Sequence, residues 1–216
     1  MNWTAPIDGY CERTDAAFWS EPLNAVTNAA FLLAAIAAYL IYTRQSRTDP
    51  FVAVLIWIAA AVGIGSFLFH SLANRWSALA DVIPIGLFII VYFTCAMRRF
   101  VGLRMMGAIA ATVIYVVAAI GVAWLAQPVM GSSSGYLPSL LALAGVGLLL
   151  RARRHPAGGP MIAGAVLFAV SLAMRMADLP LCQTLPFGTH FLWHCFNATL
   201  LFLLMRTAII YGNHRT

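Results

Sequence analysis

The sequence predicts an all-α membrane protein, a seven-transmembrane-helix bundle with its N-terminus outside and its C-terminus in the cytoplasm. Three observations support this fold class. The chain of 216 residues is 62% hydrophobic and only 9% charged, which is too apolar for a soluble domain. Long apolar runs recur along the whole chain, so residues 1–216 are predicted to form a single domain. The basic residues are distributed unequally between alternate loops.

The apolar runs define the predicted helices in order. A polar outer-side N-terminal segment, residues 1–21, is followed by seven runs: Pro22–Thr43, Phe51–His70, Ala78–Met97, Met105–Ala126, Tyr136–Leu150, Met161–Met176 and Thr189–Ile210. Because a membrane span needs about 20 apolar residues, the fifth and sixth runs are short. Helices are required, since seven such runs with tight loops cannot make an even-stranded barrel of strands about ten residues long.

The arginines fix the predicted orientation. Most of them fall on one side of the membrane: Arg44, Arg47, Arg98, Arg99, Arg104, Arg151, Arg153, Arg154, Arg206 and Arg215. Only Arg13, Arg75 and Arg175 fall on the other side, and the positive-inside rule therefore places the N-terminus outside. The first twenty residues lack the charged start and apolar middle of a signal peptide.

The composition also excludes some functions. All thirteen basic residues are arginine, so no lysine is present to form the Schiff base of a retinal protein. The net charge of +6 is explained by membrane topology, and no nucleic-acid partner is expected. We predict a multi-pass protein of the bacterial inner membrane whose partners are the lipid bilayer and a membrane lipid substrate. Protein partners cannot be read from the sequence.

Polar residues at the outer ends of the predicted helices mark a candidate site. Ser66 and His70 are four residues apart and lie on one helix face, and Asp81 follows near the start of the next run. His190 and His194 repeat the same spacing on the last run. With the predicted topology, all five converge in the outer, periplasmic half of the membrane, where an ionisable residue indicates function.

Three histidines and a water molecule are the typical ligands of a catalytic zinc. No glutamate lies between His190 and His194, so the general base must come from elsewhere, and Asp81 is the available carboxylate. Ser66 could donate a hydrogen bond to the oxyanion. A single histidine would more simply be a core residue bonded to a backbone carbonyl. Three histidines at one depth, with an aspartate, favour a metal.

Taken together, these motifs resemble the alkaline ceramidase family, and more widely the seven-helix superfamily that includes adiponectin-receptor-like proteins. The resemblance rests on Ser66, His70, Asp81 and the late His190–His194 pair. It rests also on two N-terminal segments, Tyr10–Glu12 and Glu21–Asn28. It implies an intramembrane zinc-dependent hydrolase, with His70, His190 and His194 as zinc ligands, that cleaves the N-acyl bond of ceramide or a ceramide-like lipid.

The resemblance further implies a calcium site in the N-terminal segment. Its ligands would come from Asp8, Tyr10, Glu12, Asp15 and Glu21. The aspartate of the family falls on Gly9, so Asp8 must substitute for it, and the next polar ligand falls near Thr14 or Asp15. From the residues alone, this acidic segment either holds a cation or is merely solvated. The resemblance also implies a disulfide between Cys11 and Cys182 on the oxidising side.

Several alternatives stay open at this point. The fold and the metal could serve a lipid-binding or receptor-like protein with little turnover, although such a protein does not need Asp81. A serine protease using Ser66 would be indifferent to chelators, and a bis-histidine haem protein would absorb visible light. Arg175 and Asp178 either form an ion pair with each other, or Asp178 hydrogen bonds to a ligand histidine on the side of the ring away from the metal.

Overall fold

The computed structural model describes residues 2–46 and 49–212, so Arg47 and Arg215 of the orientation argument lie outside it. Its helices are α1 (Pro22–Thr27), α2 (Ala29–Tyr42), α3 (Pro50–Leu72), α4 (Arg75–Arg99), α5 (Met105–Met130), α6 (Leu137–Ala152), α7 (Gly158–Leu181) and α8 (His190–Tyr211). Within the described ranges, β-structure is limited to an isolated bridge between Pro6 and Asn74. The all-α prediction is confirmed.

Six helices in the described part of the chain are long and apolar enough to cross a membrane. The first combines α1 and α2, and one of the others is a continuous helical segment of 48 residues, Met105–Ala152. This long segment contains the predicted fourth and fifth helices as α5 and α6, joined by a 3₁₀ turn at Gly131–Tyr136. The sixth apolar run is longer than predicted, because α7 continues to Leu181.

The long segment folds back on itself. The hydroxyl oxygens of Tyr115 and Ser139 lie 2.9 Å apart, although a straight helix would separate residues at this spacing by about 36 Å. The reversal occurs near Gly131, which has a positive φ of 52° that favours glycine. As a result α5 contacts α4, and α6 packs against α7.

A close approach between α3 and α4 organises one end of the bundle. A side-chain carbon at Gly65 would overlap the backbone carbonyl of Ala80 on α4. The connection is short: α3 ends at the left-handed residue Ala73, and Asn74 and Ser77 form a capping box that starts α4. Because only glycine permits this approach, Gly65 brings the neighbouring parts of α3 and α4 together.

The N-terminal segment packs across this end of the bundle. The backbone N–H of Ile7 donates to the carbonyl of Ala73 at 2.7 Å, and the N–H of Trp76 donates to the carbonyl of Trp3 at 3.2 Å. These bonds satisfy backbone groups at the α3–α4 connection. The segment therefore covers the end of α3 and the start of α4 as part of the fold.

The opposite end of the bundle carries its own ion pair. Arg99 in the last turn of α4 lies 2.8 Å from Asp49, whose side chain also caps α3 by accepting from the N–H of Phe51. The pair holds the start of α3 beside the end of α4. Between the two ends, the buried core is built mainly from apolar residues of α3, α4, α7 and α8.

Substituting Gly65 tests the α3–α4 approach. Gly65→Ala is expected to lower the free energy of unfolding by about 1–3 kcal/mol, because the new methyl group meets backbone that cannot move aside. Thermal unfolding in detergent would measure the change. Gly86→Ala on α4 is the matched control, since open space surrounds that position. Equal unfolding temperatures for the two variants would contradict the role given to Gly65.

Candidate metal centre

Three buried histidines meet at the end of the bundle that the N-terminal segment covers. His70 lies in the last turn of α3, while His190 and His194 lie in the first two turns of α8. Their side chains are fully buried, and one ring nitrogen from each lies within 4.8 Å of the others. Among the described residues, this is the one group of three or more His, Cys, Asp or Glu side chains placed to share an ion.

The hydrogen bonding of the cluster fits a metal ion. Each histidine has a buried ring nitrogen without a hydrogen-bond partner: Nε2 of His70, Nδ1 of His190 and Nε2 of His194. Leaving one buried polar atom without a partner costs about 1–3 kcal/mol, so three together require an explanation. Neutral imidazoles with a free lone pair are metal ligands, and three histidines with an open fourth position are typical of a catalytic zinc.

Two groups behind the histidines orient their rings. Nδ1 of His70 lies 2.6 Å from Oε2 of Glu21, and Nδ1 of His194 lies 2.9 Å from the hydroxyl of Thr27. The Thr27 hydroxyl donates its proton to a backbone carbonyl of its own helix, so its oxygen accepts from His194. Both histidines therefore carry a proton on Nδ1 and leave Nε2 free, as is usual for metal-bound histidines with outer partners.

Glu21 is ionised in this setting. Burial raises the pKa of the Glu21 carboxyl, but the hydrogen bonds from His70 and Arg13 and the charge of Arg13 outweigh burial, so the pKa lies below its ordinary value. The Nε of Arg13 donates to Glu21 at 2.5 Å, and both side chains are almost fully buried. The negative charge of the Glu21 carboxylate therefore lies next to Nδ1 of His70.

Ser66 and Asp81 lie beside the cluster, where the contact at Gly65 brings α3 against α4. The Ser66 hydroxyl is within hydrogen-bonding reach of the Asp81 carboxylate, and His70 and Arg175 are within electrostatic reach of it. The Oδ1 atom of Asp81 is buried without a hydrogen-bond partner. The structure thus gathers Ser66, Asp81 and the histidines, which the spacing singled out.

Tyr10 covers the cluster from the N-terminal segment. Its ring stacks on the His190 ring, with 3.7 Å between centroids and an interplanar angle of 21°. Burial raises the pKa of the Tyr10 hydroxyl far above its ordinary value, so the phenol stays neutral. The guanidinium of Arg175 lies over the Tyr10 ring at 6.0 Å and donates to the hydroxyl of Ser133. Arg175 therefore links Tyr10 of the N-terminal segment to the turn between α5 and α6.

Asp178 fixes the start of α8 through three backbone groups. Its Oδ1 accepts from the N–H of Thr189 at 2.7 Å and of His190 at 2.9 Å, and its Oδ2 accepts from the N–H of Cys11 at 3.0 Å. A carboxylate at a helix N-terminus is favourable because the first N–H groups of the helix have no partner within it. Of the two roles left open, Asp178 contacts a histidine of the cluster, His190, through its backbone rather than its ring.

The residues proposed for calcium are not gathered in the described structure. Asp8 and Asp15 are exposed, and Asp15 bonds the N–H of Ala17 within its own turn. Both oxygens of Glu12 accept backbone N–H groups at the start of α1, at 2.6 and 2.8 Å. Glu21 binds His70. The donor set expected for calcium is therefore dispersed, and these residues do not fit a calcium ion.

Cys11 and Cys182 form a disulfide in the structure, with 5.3 Å between their Cα atoms. The bond ties the N-terminal segment to the end of α7, directly before the loop that leads into α8. Gly188 in this loop has a φ of 64°, and a side chain there would collide with Asp178 and Cys11. Disulfide, carboxylate and glycine together hold the segment over the histidines.

Sequence reasoning missed the residues that hydrogen bond to the histidines of the cluster. Arg13 entered only as an outer-side charge, Thr27 was passed over, and Glu21 was read as a calcium ligand. Glu21, Asn24 and Thr27 follow at helical spacing on one face of the first span, which is a detectable signal that they point to a common place. Nothing in the spacing identifies His70 and His194 as their partners.

Comparisons with known proteins agree with the resemblance. A family model described as Ceramidase matches residues 2–214, which is nearly the whole chain. No match was found among curated proteins.

Removing the carboxylate of Asp178 tests how α8 is fixed. Asp178→Ala is expected to lower the free energy of unfolding by about 3 kcal/mol, because three backbone N–H groups lose a charged acceptor. Thermal unfolding in detergent is the measurement. Asp15→Ala serves as the control, since the Asp15 side chain is exposed and accepts from the N–H of Ala17 within its own turn. An Asp178→Ala protein that unfolds at the temperature of the control would refute this role.

Proposed function

The chain belongs to the ceramidase family, and we propose that it is an intramembrane zinc-dependent amide hydrolase. Its substrate would be ceramide or a ceramide-like lipid, cleaved at the N-acyl bond to a sphingoid base and a fatty acid. One observation carries this proposal: three buried histidines from α3 and α8 each leave one ring nitrogen unpaired at a common place. A merely structural cluster would pair these nitrogens with hydrogen-bond donors or acceptors.

His70, His190 and His194 would hold the zinc ion, which when bound supplies a Lewis acid and a water molecule of lowered pKa. Asp81 is proposed as the general base, because its Oδ1 is buried and has no other partner. It would take the proton of the attacking water and deliver it to the amide nitrogen as the C–N bond breaks. Ser66 would donate a hydrogen bond to the carbonyl oxygen as negative charge develops there.

The unpaired Oδ1 atom of Asp81 favours an enzyme over a receptor-like protein. Burying a carboxylate without a full set of partners is costly, and a protein that only binds lipid gains nothing from it. A general base needs a free oxygen near the reacting centre. Asp81 meets this requirement, because its carboxylate also lies close enough to His70 for the two groups to interact electrostatically.

An apolar cavity supports a substrate with a long hydrocarbon chain. Its lining includes Phe31, Phe88, Tyr136, Trp193 and Leu200, which come from several helices and the turn before α6. The cavity borders the histidines, because the ring of Phe31 lies 6.4 Å from that of His194 and the ring of Trp193 lies 6.4 Å from that of His190. An acyl chain in this cavity would bring its amide end towards the cluster.

We further propose seven membrane crossings in a single domain, residues 1–216. The bond between Tyr115 and Ser139 supports separate crossings for α5 and α6, since the chain reverses between them. The N-terminus would lie outside and the C-terminus in the cytoplasm, by the distribution of arginines. The proposed location is the bacterial inner membrane, with the active site towards the periplasm.

Zinc content and zinc removal test the proposal directly. The purified protein is expected to contain one zinc per chain, and 1,10-phenanthroline should abolish hydrolysis of a fluorescent ceramide until zinc is restored. His190→Ala should lose both zinc and turnover. His155→Ala is the control, because His155 is also buried but packs against Phe100, away from the cluster. A wild-type protein that turns over ceramide without zinc would reject the mechanism.

The base and the oxyanion donor are tested separately from the metal. Asp81→Asn is expected to lower kcat about 10²- to 10⁴-fold, and Ser66→Ala about 10²- to 10³-fold, with zinc content unchanged. Asp49→Asn, at the opposite end of the bundle, provides the matched control. Steady-state turnover of ceramide and elemental analysis give the two readouts. Full turnover by Asp81→Asn would remove Asp81 from the mechanism.

A further inference from the structure

The N-terminal segment contains a buried cation of its own. Arg13 donates from Nε to the Glu21 carboxylate at 2.5 Å, from Nη2 to the carbonyl of His70 at 2.9 Å, and from Nη1 to the carbonyl of Asp15 at 3.1 Å. Its side chain is only 6% exposed. One carboxylate and two backbone carbonyls are oxygen ligands of the kind that a hard divalent cation takes from a protein. Here a guanidinium binds them.

The two glutamates of the segment, Glu12 and Glu21, are already bound by hydrogen-bond donors of the protein. Glu21 is shared between Arg13, His70 and the side-chain amide of Asn24, at distances of 2.5, 2.6 and 3.1 Å. Glu12 is occupied by the first backbone N–H groups of α1. A divalent ion at Glu21 would also meet the positive charge of Arg13, which cannot be deprotonated.

We infer that Arg13 is a built-in replacement for the calcium ion that the family resemblance implies, and that this chain needs no calcium. The guanidinium joins the N-terminal segment, the start of α1 and the last turn of α3. It thereby holds the Glu21 carboxylate in position to accept a hydrogen bond from the N–H at Nδ1 of His70. Arg13 is a positioning residue. It contacts the backbone carbonyl of His70 and the Glu21 carboxylate that binds the His70 ring, but not the imidazole rings of the cluster.

Calcium binding by the wild-type protein tests the first part of this inference. The protein is passed over a calcium-depleting resin, zinc is restored because the resin also removes it, and the protein is then dialysed against radioactive calcium. No saturable binding is expected, and excess calcium chloride should leave the unfolding temperature unchanged. One bound calcium per chain, with a rise in unfolding temperature, would overturn the inference. This measurement does not depend on the proposed hydrolase activity.

The second part, the positioning of Glu21, rests on the proposed zinc site and is tested by zinc affinity. Arg13→Ala is expected to weaken zinc binding about 10- to 100-fold in competition with a fluorescent chelator, as outer-shell substitutions do. Arg13→Lys, which keeps the charge, should recover part of the loss, and exposed Arg75→Ala should show none. Wild-type zinc affinity in Arg13→Ala would overturn the positioning role. Absence of zinc from the wild type would instead refute the proposed function.

Discussion

The end of the bundle that holds the three histidines depends on the interactions of one buried carboxylate, that of Glu21. It lies between the guanidinium of Arg13 and the imidazole of His70, and almost no solvent reaches it. Removing one partner from a buried ion pair leaves the other charge without compensation, which typically lowers the free energy of unfolding by about 3–5 kcal/mol. One carboxylate thus ties the N-terminal segment to α1 and α3 and fixes the ring of His70.

Much of the site could be predicted from the sequence, because the relevant spacings are local. Residues four apart share a helix face, so Ser66 with His70 and His190 with His194 required no tertiary information. The alternation of arginine-rich loops then placed the ends of α3 and α8 at one depth. These two steps suffice to bring together histidines more than a hundred residues apart.

The groups that surround the histidines could not be predicted in the same way. Arg13 and Tyr10 lie on an irregular segment whose path is set by a disulfide, by backbone bonds to Ala73 and by the carboxylate of Asp178. A glutamate such as Glu21 has the same appearance in the sequence whether it binds calcium or a histidine ring. Its assignment required the three-dimensional position of Arg13, for which no periodicity exists.

The bond between Cys11 and Cys182 has a topological consequence. It links residues 171 positions apart and closes a covalent ring that contains α1 to α7. Helix α8 lies outside this ring, and the N-terminal segment covers its histidines. A peptide-bond cleavage anywhere within the ring, such as in the exposed part of the Gly131–Tyr136 turn, would open the circle without releasing a fragment. Both pieces would stay attached until a reductant broke the sulfur bridge, so backbone scission and dissociation are separate events in this molecule.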